Sequence, residues 1–379
     1  MGIRIRDICV VVAGRPLHRV RSAPARTAGV AGKPLGMRTL RHVLDDPVSH
    51  KVSEDSAPDH HNPDGGFRNP WPHSEPAGFV AAVKWMLSRH RPPHESMPEP
   101  VMRASRTPRA DNAELAVTWV GHSTFLIQSG ETSVLTDPIW SMRASPLQFV
   151  GPRRHTPPGI AFDKLPSIDA VFMSHDHYDH LDERTVRRII ERWPDASWIT
   201  PLGVGDFIAR RGAAHVTEMD WWQTRLVGGV SAQCTPAMHF SGRYPWNRNA
   251  TLWCGWVIAL GSHRVFFAGD TGLHPDFGKI SQRFGPFDAA ILPIGAYEPR
   301  WFMRTVHMNP EDAVAAYREI AAVPAQSECV FVPCHWGTFR LTDEPLDEPP
   351  ERLRKAWSEA DFQDEHLWML RHGETKRRL

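Results

Sequence analysis

The heptapeptide Ser174-His175-Asp176-His177-Tyr178-Asp179-His180 constrains this chain more than any other stretch. It directly follows Ala170-Val171-Phe172-Met173, a short apolar run bounded by polar residues that reads as a buried β-strand. A loop leaving a strand end can turn alternate side chains into one cleft. His175 and His177 are then able to grip one metal ion while Asp179 and His180 turn toward a second. An exposed polar turn does not explain four candidate ligands in six positions after a buried strand. Asp176 points the other way by alternation and reads as a supporting or surface residue.

A binuclear site needs more ligands than this cluster supplies, and three further apolar runs end on a lone polar residue. His239 closes Thr235-Pro236-Ala237-Met238-His239, Asp270 closes Val265-Phe266-Phe267-Ala268-Gly269-Asp270, and His335 closes Val330-Phe331-Val332-Pro333-Cys334-His335. Taken singly, each is an ordinary loop residue. Beside the first cluster, each becomes a candidate metal ligand.

The rest of the chain can house such a site in one large domain. Of 379 residues, 41% are hydrophobic, enough for a sizeable core. Lys and Arg total 44 against 43 Asp and Glu, so the balance lacks the basic excess that nucleic-acid binding usually needs. Five scattered cysteines, none spaced Cys-x-x-Cys, read as reduced thiols of a cytoplasmic protein. No apolar stretch near the start approaches the ~18 residues of a membrane span. Residues 1–56 carry Arg, Ala, Pro and Gly without apolar periodicity and read either as a disordered leader or as sequence upstream of a true start near Met37. Residues 57–379 read as the folded domain, with 57–110 as an N-terminal helical extension containing a helix at 78–90 and a Pro-rich linker at 92–108. Strands are expected from Leu115 through Thr136 as a meander, then at 170–174, 197–200, 252–260, 264–268, 289–293 and 330–333. Helices are expected after Asp182 and after Asn309-Pro310-Glu311-Asp312, which joins an Asn cap, Pro in the first turn and acids behind it. The fold class is α/β, with mixed sheets and helices outside.

In this order, the ligand candidates resemble the metallo-β-lactamase superfamily, and within it the N-acylphosphatidylethanolamine phospholipase D family. The similar stretches include Gly121-His122-Ser123-Thr124, Leu135-Thr136-Asp137-Pro138-Ile139, Asp220-Trp221-Trp222 and Phe284-Gly285-Pro286-Phe287-Asp288. The most specific are Tyr297-Glu298-Pro299-Arg300-Trp301-Phe302-Met303 and His335-Trp336-Gly337-Thr338-Phe339. The likeness runs from about Phe67 to Gly373. It implies an αββα sandwich of two mixed β-sheets flanked by helices, and two zinc ions per chain. His175, His177 and His239 would hold the first, Asp179, His180 and His335 the second, with Asp270 bridging. It implies a zinc-dependent phosphodiesterase that cleaves N-acylphosphatidylethanolamine to phosphatidic acid and an N-acylethanolamine, with a hydroxide shared by the ions as nucleophile. The chain departs from the family's mammalian form in having Val306 and Phe240 where that form has Gln and Trp.

Other residues take their expected roles from this resemblance. Asp179 and Asp270 count as catalytic as well as ligating, and His307 as a proton donor or phosphate contact. Tyr297 and Arg300 either clamp the substrate phosphate or pack as a loop against Trp301. Asp137 either accepts the second ring proton of a ligand histidine or simply makes an Asp-Pro turn. Arg153 and Arg154 read as solvated, Trp221 and Trp222 as core packing, and His60-His61 as a solvated loop, because adjacent histidines diverge. The expected partner is a phospholipid or other phosphodiester, reached by a cytoplasmic chain at the inner face of a membrane, with the helix at Phe79 to Met86 either docking there or packing on the domain. The competing functions are hydrolysis of lactones or β-lactams by the same hydroxide, and a catalytically silent lipid-binding protein.

Overall fold

The computed structural model describes residues 58–88, 114–244, 246–322 and 328–378. The leader, the Pro-rich linker and Cys9 lie outside them. The N-terminal segment carries α1 (Phe79–Ser88), inside the expected 78–90. The meander follows as β1 (Leu115–Gly121), β2 (Thr124–Ser129) and β3 (Thr132–Thr136), each antiparallel to the last. Three strands then join in parallel: β4 (Ala170–Phe172), β5 (Ser197–Pro201) and β6 (His215–Met219). The parallel pairings need crossovers, supplied by α2 (Glu183–Arg192) and α3 (Gly205–Ala209).

The second sheet repeats the scheme. Its antiparallel part comprises β7 (Thr224–Val227), β8 (Val230–Thr235), β9 (Gly255–Leu260) and β10 (His263–Phe267). Helix α4 (Phe277–Phe284) leads to β11 (Ala289–Pro293), and α5 (Arg300–Met303) and α6 (Pro310–Ala321) lead to β12 (Val330–Cys334), both strands parallel to β10. After α7 (Glu348–Glu359), the chain returns as β13 (Thr375–Arg378) to pair antiparallel with β1 in the first sheet. The orders are β13-β1-β2-β3-β4-β5-β6 and β12-β11-β10-β9-β8-β7.

Alternation along the strands sorts side chains into layers. Val117, Trp119, Phe125, Ile127 and Phe172 of one sheet meet Cys234, Trp256, Ile258, Phe267 and Ile291 of the other in the central core. Their neighbours Leu126, Leu135 and Val171 face outward onto Val186 and Ile189 of α2 and Ile208 of α3. On the far side, Phe266, Leu292 and Phe331 pack under Phe277, Tyr317 and Trp357 of α4, α6 and α7. The result is the expected αββα sandwich. Cys234, Cys254, Cys329 and Cys334 are buried free thiols. No helix among the described residues is long and apolar enough to cross a membrane.

Candidate metal centre

The seven candidate ligands converge at one edge of the sandwich, each delivered by a loop beyond a buried strand. His175 to His180 follow β4, His239 lies four residues past β8, Asp270 three past β10, and His335 directly after β12. Gly269 makes the last approach of Asp270 possible. Its φ of +62° is left-handed, and a Cβ there would stand 2.7 Å from the Cys254 carbonyl and 2.8 Å from Ser174 Cβ.

Two sets of ligand atoms form. His177 Nδ1 lies 2.8 Å from His175 Nε2 and 3.2 Å from His239 Nε2. Asp179 Oδ2 lies 3.4 Å from both His180 Nε2 and His335 Nε2. Asp270 Oδ2 stands between the sets, 3.1 Å from His180 Nε2 and His335 Nε2, and 3.8 Å and 4.0 Å from His239 Nε2 and His175 Nε2. His122 joins the second group, its Nε2 2.9 Å from Asp179 Oδ2.

Three of the second ring nitrogens are fixed from behind. His180 Nδ1 donates to Asp137 Oδ2 at 2.7 Å, His239 Nδ1 to the Val306 carbonyl at 2.9 Å, and His175 Nδ1 meets Ser174 Oγ at 2.8 Å. Such partners set which nitrogen faces a metal and keep its lone pair available. Among the described residues, His180 Nε2, His335 Nε2 and Asp270 Oδ1 are buried without any hydrogen-bond partner. Buried polar atoms normally find partners, so these inward-facing donors fit a cation.

Electrostatics point the same way. Burial pushes His175 well below its usual range, His177 to about 3 and His239 to about 4, so all three are neutral and able to ligate. Burial alone would raise Asp179 and Asp270, but the charge on His180 and contacts from the surrounding histidines hold both carboxyls well below the usual range. Burial would lower His180 and His335, yet Asp270 and its neighbouring carboxylates raise the first well above normal and the second to about 9. The carboxylates therefore favour positive charge at this point, and a divalent cation would supply it to imidazoles that ligate without their metal-facing proton.

Three buried indoles brace the ligand loops. Trp256 Nε1 donates to the Met173 carbonyl at 2.8 Å, Trp253 Nε1 to Ala237 at 2.9 Å and Trp119 Nε1 to His122 at 2.8 Å. These three tryptophans sit directly behind the site. His122 is the functional residue the sequence reading missed. Its ring Nε2 donates to Asp179 Oδ2 at 2.9 Å, and its carbonyl accepts from the His335 amide at 3.1 Å, so it holds two ligands at once. Burial drives it to about 3, leaving it neutral. A lone histidine closing the apolar β1 carried the same signal as the other ligands.

The remaining expectations fall out by contact. His307 reaches the site, with Nδ1 3.9 Å from Asp270 Oδ2 and its ring between those of His239 and His335 at 5.1 Å and 5.2 Å. Tyr297 is fully buried and donates its hydroxyl to Glu348 at 2.7 Å. Arg300 gives its guanidinium to the His307 carbonyl at 2.9 Å and to Asp312 at 2.5 Å. Arg300 thus supports the segment that carries His307, while Tyr297 ties its own loop to α7. Asp137 takes the first of its two readings. Asp176 is buried, accepting from the Gly242 amide at 2.7 Å. Arg154 is buried too, donating to the carbonyls of Ser141 and Ile139, where solvation was expected. Both departures from the mammalian pattern touch ligands: Val306 through its backbone, Phe240 by packing 4.5 Å from the His177 ring.

Comparison with known proteins follows this geometry. Residues 132–336 match the Beta-lactamase superfamily domain. An uncharacterized protein of Mycobacterium tuberculosis is 40% identical over 89% of this chain and 91% of its own length. The N-acyl-phosphatidylethanolamine-hydrolyzing phospholipase D 1 of Caenorhabditis elegans is 37% identical over 69% of this chain and 75% of its own. Among solved structures, Igni18, a metallo hydrolase from the archaeon Ignicoccus hospitalis, superposes with a TM-score of 0.52 at 20% identity over 70% of this chain and 99% of its own, a likeness of fold. The matched domain spans every one of the seven convergent residues, and the chain belongs to the metallo-β-lactamase superfamily of metal-dependent hydrolases.

Proposed function

We propose that this chain is a binuclear zinc phosphodiesterase of phospholipase D type, cleaving N-acylphosphatidylethanolamine to phosphatidic acid and an N-acylethanolamine. The observation that carries the reading is the pair of ligand sets sharing one carboxylate, Asp270. The worm relative, whose name specifies that substrate, supplies the lipid. His175, His177 and His239 would hold one ion, Asp179, His180 and His335 the other, and Asp270 both. Ions held there lower the pKa of water to about 7 and neutralise charge gathering on phosphoryl oxygens. The chain's own part is to fix and desolvate. Asp137 and His122 hold His180 and Asp179 in register, and Arg300 holds the His307 carbonyl. Burial keeps the His307 ring well below its usual pKa, hence neutral, and its Nδ1 has no hydrogen-bond partner among the described residues. On this reading, a substrate oxygen is that partner. The chain would be cytoplasmic and meet its lipid at the inner face of a membrane.

The test is metal content and hydrolysis of N-acylphosphatidylethanolamine by the purified protein, beside His175→Ala and a bis(p-nitrophenyl) phosphate control. At least two zinc per chain, two fewer or one fewer in the variant, with turnover of both substrates lost there, is the expected result. Zinc with activity on lactones or β-lactams alone would sink the lipid assignment.

A further inference from the structure

His60 and His61 stand apart from the main centre. Neighbouring histidines in a loop usually diverge, but here the backbone folds them together: the His61 amide donates to the Pro58 carbonyl at 2.8 Å, and His61 bridges to Phe67. The rings lie 4.6 Å apart, and both direct Nε2 at one carboxylate. His60 Nε2 is 2.6 Å from Asp220 Oδ1, and His61 Nε2 is 2.8 Å from Oδ2. Asp220 lies between β6 and β7, far away in sequence. The group is braced from behind, since Trp221 stacks on His60 at 4.2 Å and donates its amide to Asp220 Oδ1 at 2.8 Å. The His60 side chain is 7% exposed and Asp220 15%, whereas His61 is 29% exposed, so one side of the group meets water.

We propose that His60, His61 and Asp220 bind a further divalent transition-metal ion, zinc being the best match, outside the main centre. Two imidazoles and a carboxylate form a borderline donor set that suits zinc, with water filling the open position. One ligand atom from each residue lies within 4.8 Å of the other two, and the 2.6 Å from His60 Nε2 to Asp220 Oδ1 and 2.8 Å from His61 Nε2 to Oδ2 approach the 2.8–3.4 Å between ligand atoms within each set of the main centre. The ion has a structural task to perform. The segment it clips also carries Asn69, whose side chain donates to the His239 carbonyl at 2.9 Å and accepts from the His239 amide at 3.3 Å. Pinning His60 and His61 to Asp220 therefore steadies the backbone on both sides of a main-centre ligand.

The test counts metal per chain in the full-length protein, purified with zinc and freed of excess, for the wild type, His60→Ala/His61→Ala, Asp220→Asn and His175→Ala. Both variants of the outer group are expected to bind one equivalent less than wild type. Asp220→Asn preserves the side-chain shape and an acceptor for one imidazole, so it answers the question even where the double alanine variant fails to fold. Equal metal counts in wild type and folded Asp220→Asn overturn the proposal and leave a hydrogen-bonded clamp without an ion. A shortfall in His175→Ala alone reports on the main centre, so the two readings fail separately.

Discussion

Asp137 accepts from the Ser174 amide at 2.7 Å, the Ser174 hydroxyl at 2.5 Å and His180 Nδ1 at 2.7 Å, all within the buried interior. A carboxylate so fully used fixes the first ligand loop and one ligand ring together. Asp137→Asn keeps the shape but replaces one acceptor with a donor facing a donor, and metal affinity is expected to fall roughly 10–100-fold in chelator competition. His122→Ala should weaken binding over a similar range, about 10–100-fold, because Asp179 loses its imidazole donor. Unchanged affinity in both variants would show that the ligands hold themselves in place. The convergence of the candidate ligands was legible because one dense polar cluster follows an apolar run and three lone polar residues close others, a local signal. Tyr297 and Arg300 were not, since their partners Glu348 and Asp312 lie on other elements and only the folded chain brings them together. The convergence of His60 and His61 on Asp220 was hidden for the same reason.

Among the elements, α6 shows how little sequence suffices when local chemistry is explicit. The Asn309 side chain accepts from the Asp312 amide at 2.9 Å, and Pro310 follows in the first turn. Asn309→Ala is expected to cost about 1 kcal/mol, read as a lower urea midpoint at constant slope. Asp182, also at a cap position, behaves differently: its carboxylate takes the Ser141 and Thr185 hydroxyls instead of a helix amide. The strands expected from alternating or continuous apolar runs all form, although β9 starts at Gly255, three residues later than the run suggested. The strands with no expectation were β6, β7, β8 and β13. Strands β6 and β7 are largely exposed, and β13 reads Thr-Lys-Arg-Arg, so none of the three offers a pattern of its own. They are strands because a neighbour supplies a ladder of hydrogen bonds, information that lies elsewhere in the chain.

At the scale of the whole molecule, two buried histidines outside the candidate ligand set contribute an acid limit. Burial lowers His274 from 6.5 to about 3, and burial with the charge of Arg154 does the same to His372. Both stay neutral in the fold but protonate once unfolded. The unfolded chain therefore binds more protons below about pH 6.5, and stability falls as pH drops from there toward 3, by up to about 1.4 kcal/mol per pH unit for each group. Thermal unfolding across that range should show the slope, and His274→Phe, replacing a ring stacked between Trp71 and Phe277, should flatten it. Removing metal with a chelator should lower the melting temperature, since ions held by ligands from four strand ends favour the folded state alone. The pairing of β1 with β13 reaches further, into biosynthesis. Thr118 and Thr375, whose hydroxyls meet at 2.7 Å, are 257 positions apart. At roughly 5–20 residues per second, a ribosome needs on the order of 13–50 s between them. Throughout that interval β1, buried along its whole length in the finished protein, is an uncovered apolar edge open to any passing strand. The cationic β13 that covers it presents Arg377 to the outside, so a strand made late in synthesis closes an adhesive border of the nascent chain.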